Sequence, residues 1–177
     1  MTATTMSIVA LIPGRTGATL ERLRRRIDPD AADARPARIP IVAPFRAEPS
    51  FLPLEHHCWQ VGHGTAPFEV ALGPPTIDDH GVVRAELASG AEEFRALREA
   101  LITGRYAPPG GDAPYEPVAV VAELRRAGDV EPARRELAGV DASAPFVIER
   151  FELMAQYPDG GWYQRDFYTL DKAVTRA

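Results

Sequence analysis

Four histidines, a single cysteine and an excess of arginine are the residues of this chain that could do chemistry. The histidines are His56, His57, His63 and His80. Histidine titrates near neutrality and can both take and give a proton, so two of them across a cleft could serve as general base and general acid. His63-Gly64-Thr65 spells a histidine and a hydroxyl two residues apart, a spacing that on a strand points both side chains the same way. It follows a glycine and precedes Ala66-Pro67 rather than lying in an apolar run, so it reads as a decoy. His56 and His57 are adjacent and would point in different directions. A metal pair prefers wider spacing, so a surface or half-buried place is expected for both. His80 follows Asp78-Asp79 before a strand, and turn chemistry accounts for that cluster. Cys58 has no second cysteine to pair with. The chain holds no phosphate-binding glycine loop, no Gly-x-Ser-x-Gly elbow and no zinc signature, so neither metal nor cofactor is expected.

Of the 20 basic residues only Lys172 is a lysine. Arginine is the better bidentate phosphate ligand, but the arginines are scattered, and Arg24-Arg25-Arg26 reads as a solvated helix face. The net charge of −5 and a pI near 5.4 exclude a whole-molecule basic field for nucleic acid. With 177 residues, 45% hydrophobic and 25% charged, residues 1–177 are expected to form a single domain. Residues 1–12 lack a basic segment followed by a long apolar run, so a cytoplasmic protein with no membrane partner is the default expectation.

The elements that must position these residues follow from the pattern. Residues 7–12 form a branched apolar run closed by Pro13-Gly14, a strand. Residues 16–27 place Leu20, Leu23 and Ile27 at helical spacing. A polar loop, 28–36, leads to the apolar run 39–42, ended by Pro44-Phe45. Residues 51–61 read as a short helix with Leu54 and Trp59 buried, and 68–72 and 82–87 as strands. Ser89 and Glu92 have capping-box spacing and open a helix with Phe94, Leu97 and Leu101 on one face. Beyond the Pro/Gly-rich loop 107–114 come a strand, 118–122, and a short helix capped by Asp129 that ends near Gly139. Two strands, 146–154 and 162–170, close the chain around the turn Asp159-Gly160-Gly161. The order divides near 107–114 into two similar halves. Each half has an apolar strand introduced by a proline, Pro36 before 38–42 and Pro117 before 118–122.

Several pieces carry a resemblance. Arg24-Arg25-Arg26-Ile27-Asp28-Pro29, followed by Pro36-Ala37-Arg38-Ile39-Pro40-Ile41-Val42-Ala43-Pro44-Phe45, resembles the first motif region of the 2H phosphoesterases, the 2′,5′ RNA ligase family. There an arginine-rich helix end and a DP loop lead to Pro-x-His-x-Thr-x-x-x-Pro-Phe. Pro117-Val118-Ala119-Val120-Val121-Ala122 resembles the second motif, Pro-His-x-Thr-x-Ala. Ala66-Pro67-Phe68, the helix around 94–101, Phe151-Glu152-Leu153 and Trp162-Tyr163 also fall where such chains have theirs. The resemblance implies an α+β fold with two pseudo-symmetric lobes of mixed or antiparallel sheet, helices on the outer faces and a central cleft. The strands 39–42 and 118–122 would be central and face that cleft.

The resemblance also implies what is missing. The first histidine falls on Arg38 and its threonine on Pro40; the second pair falls on Val118 and Val120. Valine has no titratable proton, arginine stays charged, and proline offers neither hydroxyl nor N–H. A general acid or base contributes about 10²–10⁴-fold, so the family's chemistry is expected to be lost and no catalytic residue is assigned. The reading that follows is a catalytically inactive 2H-like protein whose cleft binds a nucleotide or other phosphate-bearing small molecule. Arg38 would be its anion contact, with Arg46 and Tyr115 assisting. That role requires an Arg38 not locked to a neighbouring acid. The alternatives are an active cyclic phosphodiesterase or 2′-5′ RNA ligase-type enzyme using other residues, and a protein interaction module built on the apolar wall of Val118 and Val120.

Overall fold

A computed structural model of the chain describes residues 4–29, 36–47, 50–110, 114–124 and 126–172. Most of the polar loop 28–36 and part of the loop 107–114 lie outside them. Among the described residues the strands are β1 (Thr4–Leu11), β2 (Arg38–Ala47), β3 (Phe68–Leu72), β4 (Thr76–Ile77), β5 (Val82–Ser89), β6 (Val118–Glu123), β7 (Phe146–Ile148), β8 (Arg150–Gln156) and β9 (Trp162–Thr169). The helices are α1 (Gly14–Ile27), α2 (Leu52–Gly64), α3 (Ala91–Ile102) and α4 (Val130–Leu137).

The strands form one antiparallel sheet in the order β7-β3-β5-β6-β2-β1-β8-β9, with β4 paired to β5. The two lobes of this α+β fold are therefore not the two halves of the sequence. The C-terminal β8 and β9 complete the N-terminal lobe against β1, while β6 and β7 complete the lobe built on β3 and β5. The single strand expected over 146–154 breaks at Glu149, so that β7 pairs with β3 and β8 with β1.

Alternation along the strands sorts residues between two faces. Met6, Ile8 and Ala10, Ile39 and Ile41, Ala119 and Val121, and Phe151 and Leu153 are buried with the helices, of which α3 packs on β2, α1 on β6 and α2 on β9. Phe94, Leu97 and Leu101 are the buried face of α3. Arg38, Pro40, Val118 and Val120, each one residue out of phase with its buried neighbours, are left on the opposite face.

Three further expectations need correcting. Asp129 stands at the N-cap of α4, but its side chain makes no capping hydrogen bond. Helix α3 begins after Gly90, whose φ of 88° suits glycine, and Ser89 makes no capping box. The Ser89 Oγ instead accepts the Ala71 N–H of β3 at 3.0 Å. Trp59 is 50% exposed rather than buried, because its face of α2 turns to solvent and its ring rests against His63 and His56. Leu54 is buried as expected.

Candidate functional site

The cleft is built from the middle of the sheet outward. Arg38 of β2 pairs directly with Val120 of β6, and this register position joins the two halves of the sheet. Along β1 and β2, Met6 faces Phe45 and Val9 faces Pro40, so three steps of β1 span five of β2. Such bulges bend a strand, and Pro40 and Pro44, which donate no backbone hydrogen bond, sit within this irregular stretch. A cavity of about 210 Å³ opens here, lined by Ser7, Val9 and Leu11 of β1, Pro36, Arg38, Pro40 and Pro44 around β2, Val120 and Glu123 of β6, Met154 of β8 and Trp162 of β9. Its surface is mainly apolar, and the Ser7 hydroxyl already donates to the Val42 carbonyl at 2.9 Å.

Arg38 is held from two sides. Its backbone start is fixed by α1, where Glu21 accepts the Ala37 N–H and is itself paired with the buried Arg24. Its guanidinium donates to the Pro36 carbonyl at 3.3 Å and to a Glu123 carboxylate oxygen at 3.2 Å. Its side chain is only 14% exposed, against 53% for Glu123.

The other sequence-selected residues fall elsewhere. Val118 shares the cleft face but does not line the cavity. Arg46 is exposed near the far end of β2, opposite Thr5. Tyr115 is a strut: its hydroxyl donates to the Pro40 carbonyl at 2.8 Å and the Arg98 guanidinium stacks on its ring. Burial raises the pKa of that hydroxyl well above its usual range. His63 lies at the end of α2, 3.5 Å from Asp171. His57 contacts the Leu101 carbonyl at 2.8 Å. His80 sits in the turn whose N–H groups Asp78 accepts. None of these histidines lines the cavity. Cys58 is buried, and desolvation with the nearby Glu55 pushes its thiol up to about 12, so it is no nucleophile. Among the described residues no group of three acidic, histidine or cysteine side chains is placed to hold a metal ion.

Two charged residues that the one-dimensional pattern did not single out share the cleft face. Arg84 of β5 is the cross-strand neighbour of Val120 on the side away from Arg38. Glu152 of β8 faces Val9 of β1 and is fully buried. Its carboxylate accepts the Leu11 N–H at 3.2 Å and Arg150 Nε at 3.1 Å. Desolvation nevertheless raises its pKa from 4.5 to about 7, against the opposing pull of those two partners.

Geometry of this kind, with paired motif strands facing one cleft across two lobes, is what the resemblance implied, and the sequence profile of the 2′-5′ RNA ligase superfamily matches residues 12–160. The chain belongs to the 2′-5′ RNA ligase superfamily. The superfamily fold recurs in similar solved structures. TT0787 of Thermus thermophilus is 18% identical, with a TM-score of 0.61 over 96% of this chain and 100% of that one. E. coli LigT complexed with NADP+ is 12% identical, with a TM-score of 0.63 over 97% and 100%. E. coli LigT complexed with 3′-AMP is 11% identical, with a TM-score of 0.57 over 96% and 99%. LigT has also been solved with ATP and with phosphate. No curated protein matches the chain. No helix among the described residues is long and apolar enough to cross a membrane.

Proposed function

We propose that this member of the superfamily binds a phosphate-bearing small molecule in its cleft and does not hydrolyse it. The observation that carries the reading is the cleft face itself, where the four positions corresponding to the two His-x-Thr pairs are Arg38, Pro40, Val118 and Val120. None of these can shuttle a proton at neutral pH, while Arg38 supplies the charge-assisted donors that an oxyanion needs. The ligands of LigT, among them 3′-AMP, ATP and NADP+, set the class to test. Glu152, the buried carboxyl near neutrality, has no exposed surface and does not line the cavity. Among the described residues Glu123 is the carboxylate that lines the cavity, and no second acid–base group stands there with it, which supports binding over catalysis.

One observation favours the interaction-module reading instead. Arg38 already has Glu123 at 3.2 Å, so a phosphate must displace a carboxylate, and the remaining wall is largely apolar. The Arg38 half of that pair is only 14% exposed, so it holds more firmly than a surface pair, while Glu123, at 53%, can turn into solvent once a phosphate replaces it. Calorimetric titration of 3′-AMP, ATP, NADP+ and inorganic phosphate separates the two readings. Ligand binding predicts saturable heat for at least one of them, weakened about 10- to 100-fold by Arg38→Ala. Absence of heat for all four at millimolar concentration would replace this reading with the interaction module.

A further inference from the structure

Val120 is flanked in the sheet by Arg38 on one side and Arg84 on the other. Cross-strand partners project from the same face, so the two arginines stand on either side of one apolar residue. Their Cα atoms are about 10 Å apart, two inter-strand spacings, which is within the combined reach of two extended arginine side chains. The ion partner of Arg84 is Asp78, at 3.6 Å, beyond hydrogen-bond length. Asp78 is otherwise committed to the N–H groups of His80 and Val82, each at 2.9 Å. While it pairs with Asp78, Arg84 does not line the cavity; its side chain is 42% exposed and can swing from that pair toward Val120 at little cost.

We propose that Arg84 is the second cationic contact of the cleft, so that one phosphoryl group sits over Val120 between the guanidiniums of Arg38 and Arg84. The inference rests on the phosphate-binding reading above and adds to it a residue and a ligand class. The class is a terminal phosphoryl group with oxygens free on two sides, since each guanidinium approaches from its own strand. An uncharged nucleoside gives this seat nothing to hold, and a phosphodiester, with one negative charge in place of two, is held more weakly than a phosphomonoester. Val120 contributes no donor, so the affinity for the phosphoryl group comes from the two side walls. Glu123 is the carboxylate that this group displaces from Arg38.

The experiment compares ATP with adenosine on the wild type and on the Arg84→Gln, Arg84→Lys, Arg38→Gln and Glu123→Gln variants, by calorimetry at low salt, with thermal unfolding checked for each. Expected are a loss of about tenfold or more in ATP affinity for Arg84→Gln, partial recovery in Arg84→Lys, and a severalfold gain for Glu123→Gln. Adenosine binding should be the same in all of them. Wild-type ATP binding that Arg84→Gln leaves unchanged while Arg38→Gln abolishes it would overturn this inference alone. A wild type that binds neither ATP nor phosphate would overturn the phosphate-binding reading and this one with it.

Discussion

Glu152 makes the stability of the fold fall as the solution becomes less acidic. In the unfolded chain its carboxyl titrates near 4.5, and in the folded protein burial raises it to about 7. Between those values the native state holds a proton that the unfolded state has released, so unfolding free energy decreases with rising pH. The maximal slope is about 1.4 kcal/mol per pH unit, and over the interval from 4.5 to 7 the loss is about 3 kcal/mol. Glu152→Gln removes the charge that must be desolvated and keeps a carbonyl oxygen for the Leu11 N–H. The variant should lose this component of the pH dependence and be at least as stable as the wild type at pH 8, although the Arg150 contact weakens. Urea unfolding from pH 4.5 to 8, followed by circular dichroism, measures both profiles. Identical pH slopes for wild type and Glu152→Gln would refute the reasoning, because they would mean that Glu152 does not change its proton affinity on folding.

Two further outcomes follow from packing. Tyr115→Phe removes the hydrogen bond to the Pro40 carbonyl and should cost about 1 kcal/mol in urea unfolding, with ligand affinity unchanged because Tyr115 is absent from the cavity wall. Gly17→Ala should destabilise by about 3 kcal/mol or more by the same assay. A Cβ at that position would run into the Ile12 carbonyl oxygen, which outweighs the gain of about 1 kcal/mol that alanine offers a helix.

Much of the fold was legible because its central strands and α3 carry strong periodic signals. The alternation of Arg38-Ile39-Pro40-Ile41 and of Val118-Ala119-Val120-Val121 determines which side chains face the cleft. What one dimension hid was pairing. The stretch 146–154 holds no glycine or proline to mark a break, yet Glu149 is where the chain crosses from the β3 lobe to β1, and this crossing interleaves the halves. Arg84 looked like any half-exposed strand arginine until β5 was set beside β6. Glu152 was visible in Phe151-Glu152-Leu153, but its burial depends on β1 lying against β8. Arg46 was near Arg38 in sequence, yet the extended chain of β2 carries the two to opposite ends of the strand. Trp59 is large and apolar, but α2 turns its face outward to leave Leu54, Cys58 and Val61 buried.

The central claim, binding without hydrolysis, is tested most directly by ³¹P NMR of 2′,3′-cyclic AMP with a stoichiometric amount of protein. The account predicts that the cyclic phosphate resonance broadens or shifts with wild type, does neither with Arg38→Ala, and remains the sole phosphorus species over a prolonged incubation. Appearance of the phosphomonoester resonance with wild type, at a rate above that of buffer, would contradict it.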